Sequence, residues 1–145
     1  MTVRIRNAAI DDAPAIAVLT GQLGYPVDAD EQARRLASVL ASERDAVFVA
    51  VDDEDRPVGW THIQQRLMHE GSDQALIAGL VVDEEHRSAG LGLSLLAAAE
   101  AWAAERGMRS VRVLSRVERA RAHRFYMREG YALVKTSRAF DKPIG

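Results

Sequence analysis

Val81-Val82-Asp83-Glu84-Glu85-His86-Arg87-Ser88-Ala89-Gly90-Leu91-Gly92 holds the key to the chain. An apolar run stops at Asp83, a charged connector follows, and small residues open a helix. Leu91, Leu95, Ala98, Ala99 and Trp102 recur along that helix at the spacing of one face, and Gly107 ends it. The order is strand, short loop, helix. At a helix start the first N–H groups lack intrahelical acceptors, and the helix dipole adds positive potential. An anion, most often a phosphate, fits there. Gly90 and Gly92 either let that anion approach the backbone or let the helix pack closely on a sheet. Arg87 can add a charged fork. The third glycine of a dinucleotide fingerprint is missing, and no Gly-Lys-Ser/Thr of a Walker loop exists. A phosphate bound here therefore belongs to a different cofactor.

Outward from this segment, the pattern predicts the remaining elements. Upstream, Val3 to Arg6 alternates as a strand, and Asp11 or Asp12 caps a helix with Pro14 in its first turn. Ile16, Leu19, Thr20 and Leu23 are its stripe, and Gly24-Tyr25-Pro26 breaks it. A second helix starts near Asp30 and carries Ala33, Leu36, Val39 and Leu40. Ala46 to Val51 and Val58 to about Leu67 read as a hairpin around the polar turn 52–57. After a turn at Glu70 to Asp73, Ala75 to Val82 is the next strand. Downstream, Val111 and Val113 mark a strand, Arg119 to Glu129 a helix stopped at Gly130, and Tyr131 to Phe140 a final strand or hairpin. The order β-α-α-β-β-β-α-β-α-β predicts a single α/β domain over residues 1–145 with a mixed sheet.

The connector resembles motif A of the GNAT family of N-acetyltransferases. The match is Arg87-x-x-Gly90-x-Gly92 between Leu80-Val81-Val82 and Leu95-Leu96. Ala122-x-x-Phe125-Tyr126-x-x-x-Gly130-Tyr131 resembles the family's second signature, in the expected order and at the expected separation. The resemblance covers essentially the whole chain. It implies a V-shaped mixed sheet flanked by helices and direct transfer of the acetyl group of acetyl-CoA to an amine. It also implies that Arg87, Ser88, Ala89, Gly90, Leu91 and Gly92 hold the pyrophosphate. The backbone of Leu80, Val81 and Val82 pairs with the pantetheine arm as a further strand would. Tyr126 is the implied general acid, and Phe125 lies beside it. The chain departs from the pattern at Ser88, where glycine is common, and at Arg119, where asparagine is common. Arg119 then reaches a phosphate or stays solvated.

The general base is open. Ile77-Ala78-Gly79-Leu80 offers no carboxylate, which leaves a water chain, His62, His69 or Glu70. His62 alternates with Trp60 and Gln64 on one strand face, as a cleft residue or a structural histidine would. Adjacent His69 and Glu70 point to opposite faces of a strand, so no metal site is expected. Arg119, Arg121, Arg124 and Arg128 form a solvated helix face or, in part, a phosphate contact. Leu23 to Pro26 is expected to border the acceptor site.

Composition narrows the classes. The 145 residues carry a net charge of −2, 48% hydrophobic residues and no cysteine. Disulfides, thiol nucleophiles and cysteine-based zinc sites are excluded. The acidic balance argues against nucleic-acid binding. No run approaches the roughly 20 apolar residues of a membrane span, and residues 1–6 lack the apolar core of a secretory leader. A cytoplasmic enzyme is expected, with Thr136 to Phe140 as a possible homodimer edge. The rival is a non-catalytic acyl-CoA sensor, which would keep the phosphate loop and lose the acid.

Overall fold

A computed structural model of the chain describes residues 3–67, 69 and 73–145, with Ser88 described by its backbone alone. It falls into two units, Met1–Leu114 and Ser115–Gly145. The first contains β1 (Arg4–Asn7), α1 (Ala13–Gln22), α2 (Ala29–Leu40), β2 (Asp45–Val51), β3 (Pro57–Gln65), β4 (Gln74–Val82), α3 (Leu91–Glu105) and β5 (Ser110–Val113). The second contains α4 (Ala120–Arg128).

The five strands lie in the order β1-β2-β3-β4-β5. All neighbours are antiparallel except β4 and β5, which run parallel. This is the mixed sheet that the sequence order predicts. β2 explains why its sequence is apolar almost throughout. Val47, Val49 and Val51 join Ile16 of α1 and Leu36 of α2 in one core cluster, while Ala50 joins Leu91 and Leu95 of α3 in another. A strand buried on both faces loses the apolar–polar alternation.

Local chemistry sets the boundaries. Asp28 caps α2, its carboxylate accepting the Glu31 N–H at 2.7 Å, so α2 starts at Ala29, within one residue of the expected Asp30. Asp12 does not cap α1 with its side chain. Its carboxylate takes the Ala9 N–H at 2.7 Å and both guanidinium arms of Arg6 at 2.8 and 2.9 Å. Gly24 lies at φ 102°, where the chain turns from α1. The buried stripe of α3 is Leu91, Leu95, Leu96, Ala99 and Ala103. Ala98 and Trp102 are only half-buried, and Trp102 stacks under Arg106. The turn expected at Glu70 to Asp73 lies largely outside the described residues.

Two expectations need correction. The connector after β4 is not an open loop: Glu84–Ala89 winds as a 3-10 turn. The second concerns the C-terminal segment. A final strand from Tyr131 to Phe140 is absent, and residues 131–145 have no regular secondary structure. Leu133, Val134 and Phe140 are 76%, 70% and 89% exposed, so no apolar face is buried to hold the segment extended. Backbone groups without a neighbouring strand stay with solvent instead. The edge expected at Thr136 to Phe140 is therefore not formed.

Candidate active site

The site begins with a break in the register of β4. His62 faces Gly79 and Ile63 faces Ile77, which leaves Ala78 as an extra residue, a β-bulge. Pairing with β5 ends at the same point, with Ile77 opposite Val113. Beyond it β4 runs on to Val82 without β5, and this opens the sheet into the expected V.

The bulge also decides where the freed backbone points. In a ladder, alternate residues direct N–H and C=O to opposite neighbours. The Asp83 N–H donates to the Val58 carbonyl at 2.8 Å. Residues 83, 81 and 79 therefore face β3, and Leu80 and Val82 present N–H and C=O to the edge that β5 has left. Their side chains pack beside Leu91 and Leu95 of α3. Val81 is buried on the other face. Packing and an available main-chain edge coexist in these three residues.

At the end of this edge stands the start of α3. Gly90 has φ 75°, a left-handed conformation that L side chains rarely adopt, and a Cβ there would meet open space. No side chain caps α3, and its first intrahelical bond runs from the Ser94 N–H to the Gly90 carbonyl. Arg87, Ala89 and Gly90 are exposed. Leu91 is fully buried, so its backbone alone is available to a ligand. These are the features a phosphate-bearing cosubstrate requires: an uncapped helix start, room above a glycine and a nearby guanidinium.

α1 holds the corner. The Gln22 carboxamide donates to Asp83 Oδ1 at 3.0 Å and accepts the Glu84 N–H at 3.1 Å. His86 Nδ1 lies 2.9 Å from the other Asp83 oxygen.

In the second unit, α4 places Arg119, Phe125 and Tyr126 close together. Arg119 occupies the N-cap position and Tyr126 is half-buried. The Tyr126 ring stands edge-on to Phe125 and Tyr131, with centroids 5.3 and 5.7 Å away. Burial pushes its phenol up to about 12, and the positive charge of Arg119 works against that rise. The group stays protonated through the neutral range and is a hydrogen-bond donor. Arg121, Arg124 and Arg128 are exposed, as a solvated face requires.

His62 and His69 differ sharply. His69 is exposed, Glu70 lies outside the described residues, and His62 Nε2 meets Asp45 Oδ1 at 2.7 Å. Among the described residues no group of His, Asp and Glu side chains could hold a metal ion. Sequence reading did not find the Ala78 bulge, Gln22 or the Asp45 partner of His62. The bulge had a signal, since an isolated glycine inside an apolar strand marks such breaks, and Gly79 is adjacent. Gln22 had none.

The architecture is that of a transferase that takes its acyl group from coenzyme A, and comparison with known proteins agrees. The family model described as acetyltransferase (GNAT) family matches residues 9–131. The chain is 33% identical over 146 residues to an aminoglycoside N(6')-acetyltransferase type 1 of Stenotrophomonas maltophilia, covering 97% of this chain and 93% of that protein. The crystal structure of a transcriptional regulator from Bacillus halodurans C-125 superposes with a TM-score of 0.85 at 21% identity, covering 97% and 100% of the two chains. AAC(6')-Iy, in complex with the bisubstrate analog CoA-S-monomethyl-acetylneamine, gives 0.85 at 17% identity, covering 99% and 100%. These two likenesses speak to the fold. The chain belongs to the GNAT family of acetyltransferases, enzymes whose cosubstrate is acetyl-CoA.

Proposed function

We propose that the chain acetylates a primary amine on a small polycationic acceptor, an amino sugar of the aminoglycoside type. The observation that carries the transferase site is the free edge at Leu80 and Val82 leading to the uncapped start of α3. The acceptor class rests on the 33% identity to the Stenotrophomonas protein. Asp28 and Asp30, exposed at the start of α2 next to the Leu23 to Pro26 connector, suit a cationic molecule.

In this reading residues 1–145 work as one domain, because the family match crosses from the first unit into the second. Acetyl-CoA supplies an acetyl group activated as a thioester. The Arg87 to Gly92 segment holds its pyrophosphate, including the backbone of Ser88 and Ala89, while the main chain of Leu80 to Val82 holds its amide-bearing arm. Arg119 and Phe125 complete the cofactor contacts. Tyr126 protonates the departing thiolate. A phenol near 12 gives up its proton reluctantly, and the Arg119 charge eases the step. Holding amine and thioester together supplies much of the acceleration.

Among the described residues no helix is long and apolar enough to cross a membrane. The acidic net charge supports a protein that does not bind nucleic acid, and a cytoplasmic location away from membranes is part of the proposal. A homodimer is possible, though not through the Thr136 to Phe140 edge, which does not form; light scattering at micromolar concentration decides it.

The decisive experiment incubates the protein with acetyl-CoA and a panel of aminoglycosides, polyamines and peptide amines, and reads products by mass spectrometry. Acetylated amino sugar is the expected product. Acetyl-CoA binding with neither CoA release nor an acetylated product would instead establish a non-catalytic sensor.

A further inference from the structure

A cavity of about 240 Å³ lies between α1, α2 and the β2–β3 face, with Ile16, Leu36, Val39 and Val47 as apolar walls. Trp60 and His62 line it as well. The Trp60 indole Nε1 is buried and has no hydrogen-bond partner among the described residues. The ring lies against Gly79, where a built Cβ would come within 2.6 Å of it. His62 faces Gly79 across the ladder and is thus one strand spacing, about 4.8 Å, from the bulged segment where the free edge begins.

His62 is positioned as an oriented base is positioned. Its side chain is 19% exposed and that of Asp45 15%. The Asp45 carboxylate also accepts from Gln64 Nε2 at 3.0 Å. Burial alone would raise the Asp45 pKa, but hydrogen bonds from Gln64, Ser42 and His62 outweigh it and hold the carboxyl below its usual range. An ionised Asp45 takes the hydrogen on Nε2, which leaves the lone pair on Nδ1. A purely structural histidine would pack both ring edges, whereas this one forms part of a cavity wall.

We propose that this cavity takes the amine-bearing end of the acceptor and that His62, oriented by Asp45, accepts the proton the amine loses. The inference rests on the acetyltransferase reading above and names the base that it lacks. The C–N bond forms as the C–S bond breaks, and the electron pair leaves on sulfur. The nitrogen's proton passes to His62 Nδ1, and Tyr126 protonates the sulfur. The imidazolium then returns its proton to water and the Tyr126 phenolate takes one from water, which restores both groups. The cavity is smaller than the roughly 300–1,000 Å³ of pockets that enclose a whole small molecule, so the rest of the acceptor stays outside. The charged groups facing His62 are Asp45 from β2 and Arg35, which lines the cavity from α2.

The test compares wild type, His62→Gln and Asp45→Asn in two reactions followed across pH: acetyl transfer to neamine, and CoA release from acetyl-CoA in water alone. In both, His62→Gln is expected to lower kcat by about 10²-fold, and in the water reaction, where no acceptor amine titrates, to remove the fall in kcat toward acid pH. Acetyl-CoA affinity by calorimetry should stay the same. Asp45→Asn should lower kcat less and shift the acid limb. A thermal melt reports folding, and if His62→Gln does not fold, Asp45→Asn carries the comparison. Wild-type rates with an unchanged acid limb overturn the inference. If wild type releases CoA in water but leaves neamine untouched, the amino-sugar reading fails while the water reaction still decides the role of His62. If wild type does neither, both fall.

Discussion

Gln22, the last residue of α1, fastens Asp83, the first residue after β4, through a 3.0 Å hydrogen bond, and the same carboxamide takes the Glu84 N–H. One side chain thereby ties the end of a helix to the corner from which the Glu84–Ala89 turn departs. If Gln22 is removed, Asp83 keeps His86 and the Glu85 N–H. Gln22→Ala should lower stability by about 1 kcal/mol, the low end for a part-exposed charged hydrogen bond. If that loss falls on the loop, acetyl-CoA affinity drops about five-fold. Calorimetry beside urea denaturation checks both, and Gln22→Glu should not restore the bond because it cannot donate to a carboxylate.

Acid should unfold the first unit partly through Asp12. Hydrogen bonds from Arg6, against the opposing effect of burial, hold its carboxyl below the ordinary range, with help from the Ala9 N–H. A group whose folded pKa lies below its unfolded value, about 3.9 for aspartate, stabilises fully above that value. The contribution is lost as pH falls through the folded pKa. Asp12→Asn should cost about 2 kcal/mol at pH 7, below the figure for a fully buried pair because Arg6 keeps Asp55. The gap to wild type should narrow below about pH 3. Denaturation curves at pH 7 and pH 3 measure the difference.

Gly90 tests the phosphate assignment. Because its φ is 75° and the space above it is open, Gly90→Val is penalised by backbone strain of about 1–2 kcal/mol, with no steric clash added. The new side chain stands where an anion would approach. Acetyl-CoA binding should weaken at least ten-fold, beyond what the strain does to folding. Unchanged affinity by calorimetry would remove the segment from the binding site.

Tyr126→Phe separates chemistry from packing, since it keeps the ring that meets Phe125 and Tyr131. A structural hydroxyl would be worth about 1 kcal/mol of stability and nothing in turnover. A catalytic one should lower kcat by about 10²–10⁴ with acetyl-CoA affinity unchanged. With its pKa near 12, Tyr126 should produce no alkaline limb in the wild-type kcat profile below pH 10. Near-wild-type kcat, measured where chemistry limits the rate, would exclude Tyr126 as the acid.

The chain's periodicities revealed the helices and all five strands of the sheet closely, because α1, α2 and α3 each pack apolar residues on the sheet and β1 to β5 each pair with a neighbour. Local pattern was misleading at the C-terminus. Tyr131-Ala132-Leu133 alternates like a strand, but no ladder forms there, and pairing is a property of two segments rather than one. The strand–connector–helix segment around Gly90 could be read because glycine and helix-start chemistry are local. The Asp45–His62 pair could not be read as a unit, since the residues lie 17 positions apart and meet only through the β2–β3 register. Gln22 and Asp83, 61 positions apart, are joined only by the packing of α1 near β4.

The bulge at Ala78 gives β4 two lives. Its first half is committed to β5, while Leu80 and Val82 keep an open row of donors and acceptors. Such a row accepts any extended chain that reaches it. If the edge holds the cosubstrate's arm as proposed, the protein carries a sticky seam whenever it is empty. Its solubility in storage or during overexpression is then coupled to ligand supply: coenzyme A would act as a chaperone-like shield against self-association, well before it acts in the reaction.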